Sequence, residues 1–320
     1  MNRFHLTHAT EFAYDGAVYE SYNEVRLRPI HDDHQSCLSF RLITNPASRG
    51  SSYKDGFGNW IHLFNVLPQH RKLRIEAESV VLVHEVPTAT SDVSLQELET
   101  MRPELLEAHF DWVTASAYVP HLPELGEIGS TVERSCDGTV AGFVQTASDF
   151  IHANFTYMKG ATHVHSSVRD SITLRAGVCQ DFAHVLLGVL RMRGLPARYV
   201  SGYLVSGGDS GSKQEEVIGG QASHAWAEVF IPGDGWIGFD PTLGNPIELR
   251  HIRVAYGRDY GDVPPVRGVY KGRAGQSLSV DVLFRPALDD TGNEHISERS
   301  SDQEVDTGPA TELPQQQSQQ

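Results

Sequence analysis

The chain holds three cysteines, and one of them, Cys179, is placed for chemistry. It stands two residues after Gly177, at the start of VCQDFAHVLLGVLRMRG. Val178, Phe182, Val185, Leu186, Val189 and Leu190 recur there at helical spacing, so the segment predicts an amphipathic helix. Gly194 and Pro196 mark its end. A thiol in the first turn of such a helix meets unpaired amide N–H groups and the positive end of the helix dipole, both of which favour a thiolate. At about 100° per residue, Cys179 falls ~60° from the centre of the apolar stripe, partly sheltered and partly reachable.

A thiol nucleophile needs a base within hydrogen-bond reach, and the base needs a group that orients it. His224 opens the strand-like run HAWAEVFI and Asp240 closes WIGFD. Pro232-Gly233-Asp234-Gly235 between them is a hairpin turn signal. Both residues then sit toward the open end of one hairpin, where strands lie about 4.8 Å apart. Bulge and loop choices leave the register open. A carboxylate so placed would hold the imidazole tautomer and stabilise an imidazolium. Taken singly, each residue has an ordinary role: a free cysteine is most often buried and inert, and His224 and Asp240 suit a strand end and a turn.

The elements around these residues change character along the chain. Residues 1–90 alternate with period two, as in FHLTHATEFAY, EVRLRP, SFRLIT, NWIHLFNVL and RKLRIEAESVVLVHEV, punctuated by turns such as Asp55-Gly56-Phe57-Gly58-Asn59. They predict a β-rich domain, an antiparallel sheet or sandwich. Residues 91–286 begin with helices. Ser94 and Glu97 form a capping signature, Pro103 interrupts the segment that follows, and 139–155 is amphipathic. SVRDSITLRAG reads as a short helix ending at Gly177. ARYVSGYLV, HAWAEVFI and WIGFD follow the Cys179 helix as strands. Residues 287–320 carry eight acids against one base, lack aromatics and end in PQQQSQQ. This acidic tail reads as disordered.

Composition excludes several classes. The chain has 320 residues and a net charge of −15, with no basic run, so nucleic acid and anionic membrane surfaces are poor partners. No apolar run is long enough for a membrane-spanning helix. Three cysteines without a C-x-x-C pair are too few for a disulfide scaffold and predict free thiols in a reducing compartment. MNRFHLTHATEFAYDG lacks the pattern of a signal peptide, which makes the cytoplasm the default expectation.

Four blocks in order, GVCQDFAH (177–184), RMRGLPARYVSGYL (191–204), SHAWAEVFIPGDGWIGFDPT (223–242) and GRDYGDVPPVRGVY (257–270), resemble the bacterial branch of the transglutaminase-like superfamily. The resemblance spans 157–272, and the leading β region resembles the N-terminal region that accompanies many bacterial members. It implies an α+β fold in which a papain-like core, with the Cys helix packed on an antiparallel sheet, follows a β-rich N-terminal domain. It also implies a Cys–His–Asp triad, which falls on Cys179, His224 and Asp240. The implied activity is that of a cysteine-dependent amide-bond hydrolase or acyl transferase, of peptidase, amidase or transglutaminase type, working through a thioester. Its substrate would be a peptide or protein amide, with an amine as alternative acceptor to water. The Cys179 backbone N–H is a candidate oxyanion donor, and Tyr157 a second. No cofactor is implied.

Other candidates read more plainly. His184 shares a helix face with Gln180 and Arg191, a solvated face. His163 and His165 lack further ligands at metal spacing, so no metal is expected. Gly207-Gly208-Asp209-Ser210-Gly211-Ser212 lacks the Lys-Ser/Thr ending of a phosphate loop and reads as a flexible loop. Trp226 and Trp236 suit core or pocket lining, and Glu228 a buried partner. Arg258, Asp259 and Tyr260 would close the core beside the site. The competing function is a non-catalytic protein-binding module on the same fold, which a missing triad member would favour; all three are present.

Overall fold

The computed structural model describes residues 1–161, 166–205, 218–219, 223–286 and 316–318. In chain order its strands and helices are β1 (Asn2–Val25), β2 (Gln35–Asn45), β3 (Gly50–Lys54), β4 (Trp60–Val66), β5 (His70–Val83), α1 (Leu95–Ala108), α2 (Phe110–Val113), α3 (Pro123–Glu133), α4 (Val140–Asn154), β6 (Thr156–Tyr157), α5 (Val168–Leu174), β7 (Ala176–Gly177), α6 (Cys179–Met192), β8 (Ala197–Leu204), β9 (Ile218–Gly219), β10 (His224–Ile231), β11 (Gly235–Asp240), β12 (Asn245–Pro246), β13 (His251–Gly257), β14 (Val266–Lys271), β15 (Gln276–Pro286) and β16 (Gln316–Ser318). They fall into two units, one of Met1–Val83, Val205–Ala222 and Pro265–Gln319, the other of His84–Leu204 and Ser223–Pro264.

The first unit is β throughout. One long strand, β1, pairs with β5 and β15 in its first half and with β4 and β14 in its second, with register shifts between them. Its inward residues Phe12, Val18 and Val25 pack with Leu73 and Ile75. Asp55–Asn59 forms a turn, in which the Asp55 carboxylate accepts the Phe57 and Asn59 N–H groups at 2.9 Å each. The strands over 266–286 belong to this unit, hydrogen-bonded to β1. The sequence reading runs the catalytic core to 286, because a partner some 250 residues away leaves no local signature.

The second unit holds a five-stranded antiparallel sheet in the order β12-β11-β10-β8-β13. Helix α6 packs against β10 and β8, and α3, α4 and α5 pack against α6. Phe182, Val185, Leu186, Val189 and Leu190 of α6 join Ala225, Ala227, Val229, Ile237 and Phe239 of the sheet in one core. Enclosed on all sides, α6 buries every residue from Asp181 to Arg191. His184 and Arg191 are therefore not on a solvated face, as the apolar stripe alone predicts. Their polar atoms are met inside: His184 Nε2 accepts the Tyr260 N–H at 3.1 Å, and the Arg191 guanidinium donates to Ala197 O at 2.8 Å. Pro103 does not end α1, which runs through it. Among the described residues no helix is long and apolar enough to cross a membrane.

Candidate active site

The approach to Cys179 is built by two short strands. Helix α5 ends at Arg175, in the left-handed conformation (φ 49°), two residues before the predicted Gly177. Ala176–Gly177 then pairs in parallel with Thr156–Tyr157: Thr156 N–H donates to Arg175 O and Met158 N–H to Gly177 O, both at 2.8 Å. The chain turns at Val178 into α6, whose first residue is Cys179.

Asp181 locks this turn. It is buried, its Oδ2 accepts the Val178 N–H at 2.8 Å, and its Oδ1 accepts the Ser171 hydroxyl at 2.9 Å. An acid in the first helical turn also complements the dipole. A Cβ at Gly177 would lie 2.6 Å from the Asp181 Cβ, so only glycine lets the carboxylate approach. Cys179 itself is half-buried and packs against the core.

The hairpin supplies the next two groups. Its register pairs Ala227 with Phe239 and Ile231 with Gly235, so Asp240 lies opposite Trp226 and diagonal to His224 on one face. Ala225, Ala227 and Val229, on the other face, are core residues. His224 Nε2 donates to Asp240 Oδ2 at 2.7 Å, and the Thr242 N–H donates to Asp240 Oδ1 at 2.9 Å. The Cys179 side chain is the other group that acts on the His224 imidazole, raising it.

The electrostatics follow from these contacts. Burial lowers the His224 imidazole, but the hydrogen bonds to Asp240 and Cys179 outweigh it and raise it to about 10. Burial likewise pushes Asp240 up, and the hydrogen bonds from His224 and His251 overcome it, holding the carboxyl well below the usual range. Each partner keeps the other charged.

His251 was not among the sequence candidates. It is buried at the start of β13, with Nε2 3.2 Å from Asp240 Oδ2. Its ring meets Trp226 edge to face, centroids 5.2 Å apart. Gly202 of β8 allows this, since a Cβ there would lie 2.5 Å from the Trp226 ring. His224, Asp240 and His251 bring ligand-type atoms within 4.8 Å of one another. Yet the Glu248 N–H donates to His251 Nδ1 at 2.9 Å, which puts the ring proton on Nε2, facing the carboxylate. The three form a hydrogen-bonded chain rather than an open ligand set.

Tyr157, the predicted second oxyanion donor, sits in β6 beside Gly177, its ring edge-on to Phe182. Burial, then the nearby Cys179, Asp181 and Asp240 groups, raise its phenol to about 12, so it stays a neutral donor. Glu228 is a buried partner: its Oε2 accepts from Arg198 at 2.9 and 2.6 Å, and that guanidinium lies over Trp236 and Tyr256. Trp226 is fully buried. Asp259 accepts the Tyr118 N–H at 2.9 Å, and Arg258 pairs with Asp262 at 2.8 Å. His163, His165, the 207–212 loop and all but three residues of the acidic tail lie outside the described residues.

Comparison with known proteins agrees with this architecture. The model of the bacterial transglutaminase-like N-terminal region matches residues 4–82, and that of the transglutaminase-like superfamily matches 130–241. An uncharacterized protein of Mycobacterium leprae is 33% identical over 285 residues, 88% of this chain and 98% of that protein. An uncharacterized protein of Mycobacterium tuberculosis is 35% identical over 295 residues, 88% of this chain and 93% of its own. A protein-glutamine gamma-glutamyltransferase of Pseudomonas aeruginosa is 35% identical over 99 residues, 29% of this chain and 14% of that one. Among solved structures, the "Putative Cysteine Protease" from Cytophaga hutchinsonii superposes with a TM-score of 0.70 at 20% identity, covering 91% of this chain and 92% of its own. That likeness establishes the fold: a transglutaminase-like core with a β-rich region before it.

Proposed function

The chain belongs to the transglutaminase-like superfamily, and on that footing we propose that it is a cysteine-dependent enzyme cleaving or transferring amide bonds through Cys179, His224 and Asp240. One observation carries the reading. A single imidazole, His224, is hydrogen-bonded through Nε2 to a solvent-free carboxylate at 2.7 Å and is raised by the neighbouring Cys179 side chain. That is the linkage a thiol nucleophile, a general base and an orienting acid require.

The steps follow from the groups present. The Cys179 sulfur attacks the amide carbonyl carbon, forming a C–S bond while the carbonyl electrons move to oxygen. In this reading the Cys179 N–H and the Tyr157 hydroxyl donate to that oxyanion. As it collapses, the C–N bond breaks and the His224 imidazolium gives its proton to the leaving nitrogen. The product is a thioester and a neutral imidazole. Water or a primary amine then attacks the thioester, His224 takes the proton, and the thiolate departs. Water is the default acceptor unless the closed site excludes it. The substrate is a peptide or protein amide.

The test is acyl-enzyme formation. The full chain is mixed with an activated ester or a glutamine peptide, with and without a primary amine, and followed by intact mass. The expected result is an acyl adduct on Cys179, absent in Cys179→Ala, and released as acid or as amide. An adduct that persists in Cys179→Ala, or a folded wild-type chain that acylates with none of these donors, would overturn the reading in favour of a binding module.

A further inference from the structure

We propose that His251 is a positioning residue: its Nε2–H fixes the Asp240 carboxylate in the rotation at which Oδ2 receives the His224 Nε2–H. The proposal rests on the triad reading above and extends it to a fourth member.

A neutral imidazole has one donor and one acceptor nitrogen. The Glu248 backbone N–H points at Nδ1 from 2.9 Å, so Nδ1 accepts and Nε2 carries the hydrogen. The ring is fully buried, and Trp226 closes one side. A group so held has one remaining polar atom, Nε2, and it faces Asp240 Oδ2 at 3.2 Å.

Asp240 in turn has no solvent to satisfy it. Its Oδ1 is occupied by the Thr242 N–H at 2.9 Å, and its Oδ2 is shared between His224 at 2.7 Å and His251 at 3.2 Å. Thr242 N–H alone fixes one oxygen and leaves rotation about that contact. The second donor on Oδ2 removes it. His251 never approaches the thiol by hydrogen bond, so it acts through Asp240 and then through His224, the group that exchanges protons with substrate.

The test compares two substitutions with one difference. His251→Phe fills the ring space and donates nothing. His251→Gln places an amide N–H where Nε2 was. Both lose the acceptor for the Glu248 N–H, so only the bond to Asp240 separates them. The readout is the alkylation rate of Cys179 by iodoacetamide in the full-length chain, followed at that residue by mass spectrometry and checked against the unfolding midpoint. Phe is expected to slow alkylation roughly tenfold or more, the scale of a lost hydrogen bond to a charged group. Gln is expected to recover most of that rate. Equal rates for Phe and wild type, or equal losses for Phe and Gln, would overturn the positioning role while leaving the triad untouched. If instead wild-type Cys179 is no faster than Cys37 and Cys136, it is the triad reading that fails.

Discussion

His224 Nε2 stands 2.7 Å from Asp240 Oδ2, and the carboxylate has no contact with solvent. Burial alone would neutralise both groups. Together they hold each other charged, with the imidazole raised to about 10 and the carboxyl far below its usual range. The consequence for stability has a definite sign. A raised imidazole stabilises the fold fully below its unfolded value of 6.5, and that contribution is lost as pH rises through about 10.

Asp240→Asn tests the pair. Without the carboxylate charge, His224 keeps the burial that lowers it and loses the Asp240 hydrogen bond and charge that raise it, so its value falls from about 10. Acyl-enzyme formation at pH 7 to 8 should drop by roughly two to four orders of magnitude, as when a buried triad carboxylate is neutralised. The alkaline limit of the reaction should move down with it. Stopped-flow acylation against pH reads both effects. An unchanged alkaline limit would show that Asp240 does not set the charge of His224.

Tyr157→Phe tests the oxyanion donor. The phenol is raised to about 12 and half-exposed, so its loss removes a neutral donor and little packing. The expected outcome is a fall in kcat of about 10²–10³ with KM nearly unchanged, the usual cost of one oxyanion donor. A change confined to KM would make Tyr157 a substrate contact instead.

The two ends of the Cys179 helix and its hairpin were legible because their signals are local. Apolar spacing over 178–190 gives α6, Gly194 and Pro196 its stop, and the Pro-Gly-Asp-Gly turn joins the strands that end in His224 and Asp240. What escaped depends on tertiary enclosure. His184 looks solvated on a helical wheel because the wheel counts one stripe, whereas α6 is covered all round. His251 reaches Asp240 only because β13 lies beside β8 and Gly202 lets Trp226 stretch across, neither of which any spacing encodes. Asp181 had a readable signal, an acid at the third position of the predicted helix.

His184 makes its own prediction. Burial lowers it to about 4, against 6.5 unfolded. A depressed histidine binds its proton later in the fold than in the unfolded chain, so stability falls as pH drops from 6.5 toward 4. His184→Gln keeps an acceptor for the Tyr260 N–H and removes the titration. Unfolding midpoints at pH 7 and pH 4.5 should therefore differ less in the variant than in wild type. Equal differences would place the acid sensitivity elsewhere.

The central claim is that His224 activates the Cys179 thiol, and the three cysteines of the chain provide their own controls, each half-buried and free. The direct measurement is the alkylation rate at each thiol at pH 7, resolved by mass spectrometry, in wild type and in His224→Ala. Cys179 should react at least tenfold faster than Cys37 and Cys136, and His224→Ala should erase that advantage while leaving the other two rates unchanged. A Cys179 that reacts no faster than its companions, or keeps its advantage without His224, would contradict the account.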